Sequence, residues 1–420
     1  MGSFRFIHTG DIHLDSPLKG LAGQQSAAAE RIRTATRTAF STLIDAAIED
    51  EVDFVIIAGD LYDGDWRDYQ TGLFFIREMG RLAKARIPAF VLYGNHDAEN
   101  QITKRLTLPG NVRVFSTRKP ETIRIDGYAV ALHGQSFRQR AVTENLVPAY
   151  PQPVDGCFNI GVLHTGLGGM DGHANYAPCT LDDLVNKGYD YWALAHVHNG
   201  GVLHAHPHVV FCGNLQGRHM RESGAKSATL VSVRDGVVRE VSTIETDVVR
   251  WTRLAVDVEG AGHCNDVIDR MRTAIEENVA KNSGRLLACR IELTGRTALH
   301  DEICCSHDRL IAEARAAALA LGDEAAWVER LVIETTGAAD AAVPAIDALG
   351  ELQAIVAEAP RDTDLCAQLD ADIGELVRKL PHEIRIELGD GILKAATDRD
   401  HQQLISRASR YLAARLSQGV

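Results

Sequence analysis

The chain has 420 residues, 45% of them hydrophobic and 24% charged, with a formal net charge of −13. That length supports two or three domains, and the composition is that of an ordinary globular protein. The acidic balance excludes a protein that coats nucleic acid through bulk positive charge, and no apolar run approaches the roughly 20 residues of a membrane helix.

The start, Met1-Gly2-Ser3-Phe4, leads straight into a strand pattern without a signal-peptide layout, and Phe6 breaks a myristoylation motif. Cys157, Cys179, Cys212, Cys264, Cys289, Cys304, Cys305 and Cys366 form no C-x-x-C pair. They read as free thiols of a reducing cytoplasm.

Phe4 to Thr9 alternates as a strand and ends in Gly10-Asp11-Ile12-His13-Leu14-Asp15. From Ala27 to Glu49, Ile32, Ala35, Phe40, Leu43, Ile44 and Ala47 fall at helical spacing. Asp53 to Ala58 is an apolar run, as expected of a strand buried on both faces. It enters Gly59-Asp60-Leu61-Tyr62-Asp63. A helical stretch, Tyr69 to Lys84, precedes a third strand, Ile87 to Tyr93, which ends at Gly94-Asn95-His96-Asp97. This order predicts an α/β sheet with its site beyond the carboxyl ends of the strands.

Past residue 110 the pattern shifts to short β runs, among them 112–115, 122–125, 129–133, 158–163, 191–195, 228–233 and 237–243. Two runs end in histidine: Leu163-His164-Thr165-Gly166 and Ala195-His196-Val197-His198. From Trp251, strand patterns at 254–258, 286–293 and 328–335 alternate with helical ones at 265–278 and 307–321. Thr336 to Pro344 reads as a linker, and 349–358, 370–380 and 402–415 as charged helices.

Asp11, His13, Asp60, Asn95, His96, His164, His196 and His198 thus gather at strand ends. Carboxylate and amide oxygens suit hard cations, and imidazoles suit borderline transition ions. A D-x-H flanking a turn offers two ligands to one ion, and H-x-H on a strand points both rings to one face. A single carboxylate such as Asp60 can bridge two ions.

The segments Asp11-Ile12-His13, Gly59-Asp60-Leu61-Tyr62-Asp63, Gly94-Asn95-His96-Asp97, His164-Thr165-Gly166 and Ala195-His196-Val197-His198 resemble the motifs of the calcineurin-like metallophosphoesterases. The resemblance spans residues 4–245. Asp11 to Pro17 looks like the DNA repair exonuclease branch, which holds the SbcD and Mre-type nuclease subunits. Tyr176 to Leu184 and Gly213 to His219 are similar to YhaO-like exonucleases.

The resemblance implies that Asp11, His13 and His198 hold one divalent cation. Asn95, His164 and His196 would hold a second, and Asp60 would bridge the two. It implies manganese as the metal and His96 as a catalytic residue that is not a ligand. The implied fold is α/β: a two-sheet sandwich flanked by helices (αββα) over residues 1–247. A small α+β cap over 250–337 would position DNA, and a helical region over 345–420 would dock a partner.

The expected activity is exonuclease-type hydrolysis of DNA phosphodiester bonds. Expected partners are DNA, a coiled-coil SMC-like ATPase subunit and a second copy of the chain; the expected location is cytoplasmic. Two rival readings stand beside this one. One is a hydrolase of phosphomonoesters or of cyclic or dinucleotide substrates. The other is a scaffold subunit with little activity of its own.

Several residues keep two readings. Arg218 and His219 are candidates to contact a DNA phosphate or to form a surface turn. Asp97 is a candidate to orient His96 or to stabilise its turn. Asp15, Asp63 and Asp65 are candidates to orient ligands or to cap, and Tyr62 and Trp66 to stack on a base or to pack. His204, His206 and His208 alternate around Pro207 as a metal tract would, or flank a hairpin turn.

Overall fold

The computed structural model describes residues 2–16, 27–63, 69–99, 107–125, 127–168, 176–337 and scattered positions from 355 to 408. Asp65 and Trp66, most of the expected linker, and most of the helices expected at 349–358 and 402–415 lie outside the described residues. The chain divides into two compact units: Met1–Thr252 with Asn282–Leu287, and Arg253–Lys281 with Ala288–Val420.

In the first unit the elements run β1 (Phe4–Thr9), α1 (Ala27–Glu49), β2 (Phe54–Ile57), α2 (Tyr69–Lys84), β3 (Ala89–Val91), α3 (Asn95–Glu99) and β4 (Val112–Val114). They continue with β5 (Glu121–Ile125), β6 (Val130–Gly134), β7 (Phe158–His164), α4 (Leu181–Asn186), β8 (Tyr191–Ala195), β9 (Gly201–Ala205), β10 (His208–Phe211), β11 (Ser227–Arg234) and β12 (Val237–Glu245). Two sheets result, ordered β12-β11-β1-β2-β3-β4 and β5-β6-β7-β8-β10-β9. β1 to β4 pair in parallel, as do β6, β7, β8 and β10.

The side-chain period of two sorts each strand between layers. Phe6, Phe54, Ile56 and Phe90 face Ile123, Leu132, Phe158, Ile160 and Tyr191 in the core between the sheets. Their neighbours Ile7, Val55, Ile57 and Val91 turn the other way, onto Phe40, Leu43 and Ile44 of α1 and Phe75, Met79 and Leu82 of α2. Both faces of these strands are buried, which is why their sequences are continuous apolar runs. Each such buried side chain contributes about 1.5–3 kcal/mol. The outer face of the second sheet packs Leu163, Trp192, Leu194 and Phe211 against Tyr150 and against Leu184 of α4. Two sheets between outer helices make the αββα sandwich.

Residues 112–115, which share the short-β texture of the later chain, instead extend the first sheet beside β3. His204, His206 and His208 lie at the β9–β10 turn, where His204 Nδ1 donates to the Pro207 carbonyl at 2.8 Å. In the second unit β13 (Val249–Asp257), which begins in the first, forms a three-stranded sheet with β14 (Leu286–Thr294) at its centre and β15 (Ala326–Ile333) at its other edge. The helices α5 (Cys264–Lys281), α6 (His300–Cys305) and α7 (His307–Ala320) intervene, and a later helix spans Thr363–Lys379. Thr336–Gly337 pairs with Arg296–Thr297, so the expected linker begins as a short strand.

Candidate metal centre

Past their last sheet hydrogen bonds, β1 and β2 keep their loops together. Asp11 N donates to Gly59 O at 2.9 Å, His13 N to Asp60 O at 3.0 Å, and Leu14 N to Leu61 O at 2.9 Å. Asp97 then staples this loop pair to the one after β3. Its carboxylate accepts from the amides of Leu61 at 3.2 Å, Tyr62 at 3.0 Å and Gly94 at 3.0 Å. Tyr62 is buried against Phe75, so it packs under the loop.

Asp11 and His13 (each φ 47°), Asp60 (φ 51°) and His196 (φ 100°) all sit in the left-handed region. Such backbone costs about 1–3 kcal/mol per residue and persists only where surrounding structure enforces it. Here it turns the side chains back over the strand ends. Two glycines make room. A Cβ on Gly94 would lie 2.4 Å from Asp60 Oδ1, and one on Gly59 (φ 118°) would lie 2.4 Å from His164 Nδ1.

The side chains converge as two groups, Asp11, His13 and His198, and Asp60, His164 and His196, with ligand atoms within 4.8 Å in each. Asn95 joins the second group, its Oδ1 2.9 Å from His164 Nε2. Asp11, His13, Asp60, Asn95 and His164 are buried, whereas His96 at the rim keeps 29% of its side chain exposed. His96 also comes within the same distance of His13 and Asp60.

Proton bookkeeping tests whether a cation fits. His164 Nδ1 faces the Ala58 carbonyl at 3.2 Å, which can only accept, so a neutral ring carries its proton there. The Nε2 lone pair then faces Asn95 Oδ1 and, at 3.3 Å, Asp60 Oδ2. His198 Nδ1 likewise donates to Glu222 Oε1 at 2.6 Å, so its Nε2 faces His13 Nε2 at 3.3 Å. The buried Asp11 Oδ1 has no hydrogen-bond partner. With the rings neutral, as ligation requires, the electron pairs of His164, Asn95 and Asp60 converge at one point and His198 Nε2 points toward Asp11 Oδ1, an arrangement that cations satisfy.

Burial works against a charged His164, yet Asp60 raises it to about 9, so without a metal a proton holds the place beside Asp60 that a cation would take. Burial, with the Arg218 charge, lowers His13 to about 3, keeping it the neutral imidazole that ligation needs.

Around this centre lies an outer ring of groups. Asp63 Oδ1 meets His96 Nδ1 at 2.9 Å, so Asp63 orients His96 while Asp97 stabilises the turn. Asp15 instead ties its loop to the helices, accepting from Arg37 Nε at 2.7 Å and Thr71 Oγ1 at 2.5 Å. Glu222 gathers His198, the backbone N of Arg218 at 2.8 Å and Asn214 at 3.0 Å. The Arg218 guanidinium reaches Glu222 at 3.2 Å and Ser16 at 3.3 Å. His219 is more exposed, its Nε2 3.7 Å from Glu222. Sequence reasoning missed Glu222, because no spacing marks an isolated carboxylate in a turn.

Residues 4–200 match the calcineurin-like phosphoesterase family. They form a calcineurin-like phosphoesterase domain. Residues 251–336 match the middle domain of metallophosphoesterase YhaO. The chain is 40% identical over 260 residues to the uncharacterized metallophosphoesterase YhaO of Bacillus subtilis, covering 61% of this chain and 64% of that one. It is 28% identical over 209 residues to the DNA double-strand break repair protein Mre11 of Sulfurisphaera tokodaii, covering 48% and 51%. The chain therefore spans less than two thirds of either relative. A solved dimetal phosphatase from Danio rerio aligns over 58% of this chain and 99% of its own at 10% identity, with a TM-score of 0.36.

Proposed function

We propose that the phosphoesterase domain is a two-metal phosphodiesterase and that its substrate is DNA. The observation that carries the hydrolase reading is the convergence of Asp11, His13 and His198 beside Asp60, His164 and His196 at the strand ends. Asn95 Oδ1 adjoins His164 in the second group, and Asp60 comes within 4.8 Å of His13 of the first as well. The likeness to Mre11 and the domain-sized second unit support DNA as substrate.

A pair of divalent cations, manganese in our reading, supplies electrophilic chemistry there by neutralising phosphate oxygens and acidifying water. The chain's own part is positioning and proton transfer. The buried ligands hold their rings by backbone and carboxylate contacts, and the strained loops fix their direction. His96 stands at the exposed rim with Asp63 on its Nδ1. Water adds to phosphorus and releases a proton to solvent, the bond from phosphorus to the leaving oxygen breaks, and that oxygen takes its proton from His96, which solvent then reprotonates.

We further propose a coiled-coil SMC-like ATPase subunit and a second copy of the chain as partners, in the cytoplasm. No helix among the described residues is long and apolar enough to cross a membrane.

The test offers the full chain with manganese to end-labelled single- and double-stranded DNA, beside a phosphomonoester and cyclic nucleotides. Release of nucleotides or short fragments is expected. Turnover of only the small substrates would replace the DNA reading, and no turnover of any would favour a scaffold. His96→Asn should abolish turnover and leave manganese content nearly intact; loss of metal would make His96 a ligand.

A further inference from the structure

We infer that Arg218 is a positioning residue that clamps Asp63 and Glu222 together, and through them sets the rings of His96 and His198. This rests on the metal-centre reading above and reassigns a residue first considered as a phosphate contact.

The guanidinium sits between the two carboxylates. Nη2 lies 3.2 Å from Glu222 Oε1, and Nη1 lies 3.8 Å from Asp63 Oδ2. Ser16 closes the second gap, donating its hydroxyl to Asp63 Oδ2 at 2.5 Å while accepting from Arg218 Nη1 at 3.3 Å. Each carboxylate also meets a site histidine. Asp63 Oδ1 meets His96 Nδ1 at 2.9 Å, and Glu222 Oε1 meets His198 Nδ1 at 2.6 Å. One cation thus spans the carboxylate behind a candidate ligand and the carboxylate behind the candidate proton donor. Arg is suited to this because its planar fork serves two acceptors at once, whereas a lysine ammonium is a single point charge.

The loop around Arg218 is built to hold it still. Gln216 Oε1 accepts from the amides of Val248 at 2.9 Å and Val249 at 3.2 Å, and Trp251 Nε1 donates to Gly217 O at 2.8 Å. A Cβ on Gly217 would lie 2.6 Å from Glu222 O, so the turn that brings Glu222 back onto Arg218 requires glycine there. Only 15% of the Arg218 side chain is exposed, and both terminal nitrogens are engaged inside the protein. A guanidinium already balanced by two carboxylates offers a phosphate little net charge, which is why the geometry favours clamping over substrate contact.

The experiment compares wild type, Arg218→Ala, Arg218→Lys, Glu222→Gln and the double variant Arg218→Ala with Glu222→Gln as full chains. Manganese affinity is read by titration calorimetry, and kcat and KM on bis(p-nitrophenyl) phosphate. Loss of an outer-shell partner costs about 10–100-fold in metal affinity or activity. We expect that loss in both Arg218→Ala and Glu222→Gln, with KM unchanged and the double variant little worse than either, since the two residues act as one unit. Added guanidinium should restore Arg218→Ala and not Glu222→Gln. Should Arg218→Ala fail to fold, Arg218→Lys carries the same expectation. Unchanged manganese affinity, or a raised KM with intact kcat, overturns the clamp in favour of a phosphate contact. If wild type binds manganese but hydrolyses no phosphoester, the hydrolase reading fails while the titration still decides the clamp.

Discussion

His96 and Asn95 are adjacent, yet their environments separate them. Asn95 is buried with its Oδ1 on His164, while His96 stands at the rim on Asp63. Burial works against a protonated His96, but the Asp60 charge and the Asp63 bond outweigh it and raise its pKa. A raised histidine pKa keeps the acid form to higher pH, so turnover that needs this proton falls as pH rises through it. Asp63→Asn removes part of the raising, so the basic limb of the kcat/KM profile should move to lower pH. An unmoved limb would take the proton-donor role from His96. The candidate ligands were legible in the sequence because five such segments follow one another, each at the end of an apolar strand, although any one of them alone reads as a cap or turn. Asp63 and Asp97 were visible, but which of them holds His96 depends on loop geometry.

At the scale of elements, β7 and β8 bring His164 and His196 to the centre, and their pairing is unusually tight. Gly161 of β7 lies against Trp192 of β8, and a Cβ there would sit 2.4 Å from the indole ring. Trp192 is fully buried and donates from Nε1 to Leu184 O at 2.9 Å, fixing α4 on the sheet. Gly161→Ala should therefore destabilise by about 1–3 kcal/mol through overpacking. Because His164 lies three residues further along the same strand, the substitution should also weaken manganese binding. An unchanged urea midpoint would mean that the ring can yield. Strand and helix patterns were readable element by element because their periods are local. α3 was not, because a five-residue helix beginning at Asn95 is too short to show a period.

For the whole molecule, the converging lone pairs make cation binding a stability term. Manganese at about a hundredfold over its dissociation constant should stabilise the fold by about 2.7 kcal/mol. Calorimetry should therefore show a midpoint that rises with manganese and falls with chelator. Identical midpoints would contradict the metal centre.

The sequence by itself determined the order of elements, the strand ends and the residue types placed there, because these depend on local period and side-chain chemistry. The tertiary structure decided which strands share a sheet. β11, more than 200 residues after β1, returns antiparallel beside it with β12 on its outer side, and residues 112–114 join the first sheet. It also decided that Arg218 and Glu222 close over the site from the loop before β11. Pairing between distant segments is set by what two faces bury together, and no local pattern carries that information.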